Sequence, residues 1–423
     1  MLELELTGIA HGGDALGRHE GRVIFVPYGI PDEKVRVEIT EDRGRWARAR
    51  LVEVLRPSPH RTEPPCPYFG ICGGCQWQHM DYEAQLVYKR VIVGEQLHHL
   101  GGLQEATVEP TLASPDVWRY RNHAQFTPGP DGRLGFKAAR SKRVVPITTC
   151  LLLHPLLADL FSALDLALPE LERLSLRAGV RTGETMLIFE TVNDEPPGIE
   201  VDMPVSCVLL LKDGTPVNLV GRNYLVEVLD GRQFRVSAPS FFQVNTAQAE
   251  QLVKTVAAFL QLTGHEVLLD AYCGVGTFAL SLASQAGQVI GVEENPYAIA
   301  DARLNAQGLF NVKFIEGQVE DILPNLDLAV DAAVLDPPRQ GCRPEALQAL
   351  IDLKPERIAY VSCDPATLAR DARKLSDAGY RLVRVQPVDM FPQTYHIETA
   401  SLWVRPSLRP RARQSLTPTP TGG

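Results

Sequence analysis

The chain has 423 residues, enough for two to four domains with cores of their own. Its 45% hydrophobic and 22% charged content excludes a disordered or collagen-like chain, and no apolar run is long enough to span a bilayer. The net charge of −9 argues mildly against a nucleic-acid partner, but local patches decide binding.

The start, Met1-Leu2-Glu3-Leu4-Glu5, lacks the basic segment and apolar core of a signal peptide, so a cytoplasmic location is expected. Eight cysteines then point to metal or catalysis rather than to disulfides. Residues 1–60 read as short strands punctuated by Gly12-Gly13, Tyr28-Gly29 and Pro31-Asp32, which suggests a small OB-like barrel. Within it, the run Arg43 to Arg50 is basic with one aromatic. Arg45 and Trp46 are therefore candidate RNA contacts, against the plainer reading of a solvated edge strand.

A proline-rich linker leads to Cys66, Cys72 and Cys75, with Cys150 far downstream. Four thiolates suit an iron–sulfur cluster or a zinc ion, and the spacing does not separate the two. A helix is expected near 82–100, then α/β material with several strands over 110–235. Residues 61–240 are read as a central RNA-binding domain. Between Arg119 and Arg143 stand seven Arg/Lys residues and one acid, Asp131, which makes Arg119 and Arg121 candidate phosphate contacts.

From 241 to 405 strand, loop and helix repeat, as in a parallel, doubly wound, Rossmann-like sheet. The stretch from Glu266 to Ala283 is a strand, a glycine loop and a helix. Gly274 and Gly276 allow close backbone approach to a ligand, and Glu293, about twenty residues on, can accept both ribose hydroxyls. The pattern also fits a dinucleotide fingerprint. Asp270 at the strand end and Asp336 before Pro337-Pro338 favour S-adenosylmethionine over NAD, because acids suit a cationic cofactor better than a pyrophosphate.

Cys363 follows a strand, where open α/β sheets deliver chemistry, and the next helix can favour a thiolate. Alone it would be an ordinary buried thiol. With the cofactor loop and Glu398 it suggests uracil methylation. Thiolate addition at carbon 6 makes carbon 5 nucleophilic, and a base, for which Glu398 is the candidate, later removes the carbon-5 proton. Cys207, Cys273 and Cys342 read as structural. The tail, 406–423, is rich in Pro, Arg, Thr and Ser and is expected to be disordered.

Taken together, these motifs resemble the bacterial RNA 5-methyluridine methyltransferases, in particular the 23S rRNA uridine-C5 type. The resemblance runs to about Val404. It implies that the barrel is a TRAM domain and that Cys66, Cys72, Cys75 and Cys150 hold a [4Fe–4S] cluster. It also implies that Gln243, in Ser240-Phe241-Phe242-Gln243-Val244-Asn245, touches the cofactor, that Tyr272 lines its site, and that Glu293 and Asp336 are further cofactor acids. Ser362-Cys363-Asp364-Pro365, extended to Asp371, marks Cys363 as nucleophile, and His396-Ile397-Glu398-Thr399 marks Glu398 as base. Thr277 departs from the family's frequent asparagine, which leaves a contact from that side chain open. The helix near 82–100 is implied to pack on the catalytic domain.

The expected fold class is thus α/β, with a barrel, a central cluster-bearing domain and a Rossmann-like methyltransferase domain. The expected partner is RNA, ribosomal before transfer, rather than DNA or membrane, and the expected state is a monomer. The rival readings are a transfer-RNA uridine methyltransferase, a 5-methylcytosine enzyme, an amino methyltransferase and a non-catalytic iron–sulfur RNA-binding protein. An amino methyltransferase normally puts an aromatic where Arg339 stands.

Overall fold

In β1 (Leu2–Ile9) leucines alternate with acids, so Leu4 and Leu6 turn inward while the glutamates face water. The same economy runs through β2 (Ala15–His19), β3 (Arg22–Val26), β4 (Lys34–Asp42) and β5 (Trp46–Arg56), which close a barrel in the order β1-β2-β3-β5-β4. The computed structural model describes residues 1–166 and 168–406. The tail expectation lies, apart from residue 406, outside them.

Helix α1 (Tyr82–His99) starts where Asp81 accepts the Ala84 N–H at 2.8 Å. The chain then enters a central sheet: β6 (His123–Pro128), β7 (Leu134–Lys137), β8 (Val144–Pro146), helix α2 (Pro155–Ala163), β9 (Leu171–Ala178), β10 (Thr185–Thr191), β11 (Ser206–Leu210) and β12 (Pro216–Val220). The strand order is β12-β11-β10-β9-β6-β7-β8. A hairpin, β13 (Tyr224–Leu229) and β14 (Arg232–Ser237), leads to α3 (Thr246–Leu260).

The catalytic sheet comprises β15 (Val267–Ala271), β16 (Gln288–Glu293), β17 (Val312–Glu316), β18 (Ala332–Leu335), β19 (Arg357–Ser362), β20 (Arg381–Val388) and β21 (Glu398–Val404). Between these strands run α4 (Thr277–Leu282), α5 (Pro296–Asn305), α6 (Val319–Ile322), α7 (Pro344–Leu353) and α8 (Pro365–Asp377). The order is β17-β16-β15-β18-β19-β21-β20. The first five strands are parallel, but β21 inserts antiparallel between β19 and β20. A wholly parallel sheet would put the start of β21 at the opposite edge from the end of β19.

Alternate residues of the buried strands feed two cores. Leu268, Val289, Val334 and Val361 pack with α3, α4 and α5 on one face. Leu269, Ile290, Leu335 and Tyr360 pack with α7 and α8 on the other, joined by Ile92, Val93 and Leu97 of α1. Helix α1 therefore packs in the catalytic core although it precedes the central sheet. Ile9 and Ile30 of the barrel share that same core.

Candidate active site

The end of β15 is pinned to α4. Asp270, fully buried, accepts the Ala279 N–H at 2.7 Å. Between them Tyr272 and Gly274 adopt φ of +66° and +55°. Gly276 has φ +90°, and a Cβ there would stand 2.9 Å from Leu280, so only glycine fits. Glu293, ending β16, accepts the N–H groups of Gly274 at 2.9 Å and Asn295 at 2.8 Å. It thus fixes the loop as well as facing the space in front of it.

That space is a cavity of about 750 Å³. Gln243, Tyr272, Gly274, Glu293 and Asp336 line it, together with Cys363 and Glu398. Asp270 and Gly276 shape the loop that forms this wall. Burial and the charges of Asp336 and Glu293 push the Asp270 carboxyl well above its usual range, and its Oδ1 has no partner. Thr277 does reach the wall.

Cys363 lies in the turn after β19. Ser362 Oγ accepts the Asp364 N–H at 3.2 Å and donates to the Asp364 carbonyl at 3.0 Å. Asp364 Oδ1 then caps α8 at Ala366 and Thr367, at 2.9 and 3.0 Å. The expected thiolate bias from α8 is outweighed. Burial pushes the Cys363 thiol up to about 12, and the Glu398 and Asp336 charges add to this, while Arg339 opposes it. Glu398 is 3% exposed, and its Oε1 has no partner. Burial, then Asp336, holds its carboxyl well above the carboxylate range against the pull of Arg339. Burial pushes Asp336 up to about 7. The Cys363 thiol and the Asp336 and Glu398 carboxyls thus share a wall with the Arg339 guanidinium.

The loop before Glu398 is held from outside the sheet. Lys89 and Asp389, both fully buried, pair at 2.5 Å, and Lys89 also donates to the Phe391 carbonyl at 3.1 Å. Gln85 exchanges hydrogen bonds with Gln393 at 3.0 Å. Burial, with Arg339, Lys89 and Arg121 nearby, drives His396 down to about 3, so it is neutral at pH 7. Opposite, Ser240 donates to buried Asp301 at 2.9 Å, and Asn122 donates to the Gln243 carbonyl at 3.0 Å. These bonds fix the segment bearing Phe241, which is 63% exposed and lines the cavity. Phe241, Asn295, Arg339 and Phe391 are wall residues that the sequence reading gave no role. For Arg339 the signal was its place after Pro337-Pro338.

Cys66, Cys72, Cys75 and Cys150 line the other end of the same cavity. Tyr68, bonded to Thr148 at 3.0 Å, draws the two segments together. Gly73 packs on the β7–β8 hairpin, where a Cβ would meet the Lys137 carbonyl at 2.7 Å. Cys72 and Cys75 each sense the charges of Cys66 and Cys150. Among the described residues no group of three Cys, His, Asp or Glu side chains is placed to hold a metal ion.

Arg121 is half-buried on the cavity wall, its Nε donating to the His123 carbonyl at 2.9 Å. Arg119 is exposed. Of the seven cations in 119–143, Arg133 pairs with Asp131 and Arg140 with Asp14, both at 2.7 Å. In the barrel, Arg43, Arg48 and Arg50 all face acids. Arg45 is exposed, and Trp46 meets Phe25 edge-on at 6.0 Å. The barrel strand is thus less positive than its sequence suggests.

Residues 216–405 match the tRNA (uracil-5-)-methyltransferase family model, and residues 1–52 match the TRAM domain. An uncharacterized RNA methyltransferase of Gloeobacter violaceus is 39% identical over 93% of this chain and 94% of its own. Another, of Halalkalibacterium halodurans, is 36% identical over 95% and 96%. The crystal structure of Pyrococcus abyssi tRNA (uracil-54, C5)-methyltransferase in complex with S-adenosyl-L-homocysteine superposes with a TM-score of 0.77. It is 27% identical and covers 95% of this chain and 100% of that one.

Proposed function

The chain belongs to the RNA uracil-5-methyltransferase family, with a TRAM domain, and on that premise we propose that it methylates carbon 5 of a uridine in 23S ribosomal RNA through a covalent Cys363 adduct. One observation carries the chemistry: Cys363 and Glu398 share a cavity wall with the cofactor acids. S-adenosylmethionine, when bound, supplies the methyl group and a positive charge. Glu293, Asp336, Tyr272 and Gln243 are the residues to hold it.

Cys363 gives its proton to water, and its sulfur adds to carbon 6 of the uracil. The electron pair of the 5,6 double bond moves toward the carbon-4 oxygen, and carbon 5 becomes nucleophilic. After methylation, Glu398 as carboxylate takes the carbon-5 proton, the double bond re-forms and the thiolate leaves. A carboxyl whose pKa is raised by burial binds that proton firmly, which suits a base of this kind. Cys66, Cys72, Cys75 and Cys150 would hold a [4Fe–4S] cluster that braces the RNA-facing end of the cavity. Arg119, Arg121, Arg45 and Trp46 are the proposed RNA contacts.

The resemblance of the motifs to the 23S type supports ribosomal RNA. The likeness to a transfer-RNA enzyme along 95% of the chain supports transfer RNA as the second reading. That likeness includes the barrel region, so the barrel does not separate the two. Nucleoside mass spectrometry of 23S and transfer RNA from a strain lacking the gene tests this. Loss of one 5-methyluridine from 23S RNA, restored by the gene, supports the proposal. Loss from transfer RNA alone transfers the activity to the second reading, and no loss from either refutes both.

A further inference from the structure

The turn joining β1 to β2 reaches the catalytic turn. His11 Nε2 stands 3.4 Å from Asp364 Oδ2, with both side chains about one-third exposed. Asp364 directly follows Cys363. Its Oδ1 is occupied by the first amides of α8, so Oδ2 is the oxygen left for a second partner.

The turn that carries His11 is not free to drift. It is closed on itself by the Gly13 N–H to the Ala10 carbonyl and the Ala10 N–H to the Asp14 carbonyl, each at 2.9 Å. Trp77 Nε1 donates to the Gly13 carbonyl at 3.0 Å. A Cβ on Gly13, whose φ is +85°, would lie 2.6 Å from Tyr395 Cβ. Arg140, from the central segment, holds Asp14 at 2.7 Å. The barrel turn is therefore wedged against the loop leading to Glu398 while its histidine meets the residue after the nucleophile.

We propose that His11, carried by the barrel, is a positioning residue for methyl transfer: its imidazole holds the Asp364 carboxylate and, through it, the turn that presents Cys363. This assigns the barrel a part in chemistry besides RNA binding. The Asp364 charge also bears on the thiol, raising its pKa, so where that carboxylate points matters to the nucleophile. The role rests on Cys363 being the nucleophile, as proposed above.

The test uses the full-length protein, total RNA from a strain lacking the gene, and tritiated methyl donor. Initial rates against RNA concentration give kcat and KM for wild type, His11→Ala and His11→Gln. His11→Ala should lower kcat by about three- to fivefold, the scale of a partly exposed ion pair, and leave KM within about twofold. His11→Gln, whose amide can still donate to Asp364, should recover most of the loss. A raised KM with unchanged kcat makes His11 an RNA contact only and overturns the proposal, as does a Gln variant no better than Ala. If wild type methylates uridine and His11→Ala equals it, only the role of His11 falls. If wild type transfers no methyl to uridine, the function proposed above falls, and this role with it.

Discussion

Ser362 and Thr399 are register partners, and Cys363 and Glu398 are their chain neighbours. β19 and β21 pair antiparallel from Arg357↔Val404 to Ser362↔Thr399, so the ends of the two strands deliver Cys363 and Glu398 to one cavity wall. A flat base lying across them would meet the sulfur and the carboxyl together. The buried state of both groups gives the first prediction its direction.

The thiol, pushed up to about 12, is protonated throughout the working range of the free enzyme. A rate that needs the thiolate should then climb about tenfold per pH unit in kcat/KM, which reports the free enzyme. Methyl-transfer assays from pH 6 to 9 should show no plateau from Cys363. A plateau below pH 8 would mean that its thiol ionises in the ordinary range.

Asp336 affects stability with a definite sign. Its folded pKa, about 7, lies above the unfolded value near 3.8, so the folded state binds the extra proton between them. Stability from this group is present below about pH 4 and is lost as pH rises to about 7. Asp336→Asn should therefore melt about 2–5 °C higher than wild type at pH 8, with the gap closing toward pH 4. Its methyl transfer should fall. A variant that melts lower than wild type at pH 8 contradicts the assignment.

Cys72→Ala should remove iron. Anaerobically purified wild type should contain about four irons and inorganic sulfide, with brown absorption, and the variant should lose most of both. Stoichiometric zinc without iron in the wild type would rule out the cluster.

Arg119 and Arg121 should separate. Exposed Arg119, changed to Ala, should weaken RNA binding and reduce the salt slope by about one. Arg121, on the cavity wall, should chiefly lower kcat when changed to Ala. An unchanged salt slope in Arg119→Ala would place the phosphates on another face.

Much of this site was legible from local signals. The glycines of the cofactor loop, Glu293, the Asp336-Pro337-Pro338 turn and the cysteine following β19 each lie within a few residues of the strand that places them. What needed three dimensions were relations across the chain. A helix is legible near 82–100, but nothing local says that Lys89 will pair with Asp389 some three hundred residues on. The parallel pattern gave no sign that β21 would run backwards, which is what brings Glu398 to the cavity wall that Cys363 lines. Asp270 reads as a cofactor acid by position, but its bond to Ala279, which pins α4 to the end of β15, shows only in the fold. Arg43 to Arg50 reads as a basic strand, but its cross-strand acids are invisible until β4 and β5 pair.

The central claim, that Cys363 attacks and Glu398 completes the reaction, is tested most directly by isolating the RNA adduct. Total RNA from a strain lacking the gene is incubated with tritiated methyl donor and with wild type, Cys363→Ala or Glu398→Gln, then run on denaturing gels. Glu398→Gln should add the thiol and accept the methyl but stall before proton loss, slowed about 10²–10⁴-fold. Its protein–RNA band should carry tritium, while Cys363→Ala should show neither band nor methylated RNA. A Glu398→Gln enzyme turning over at the wild-type rate, or an adduct formed by Cys363→Ala, would contradict the account.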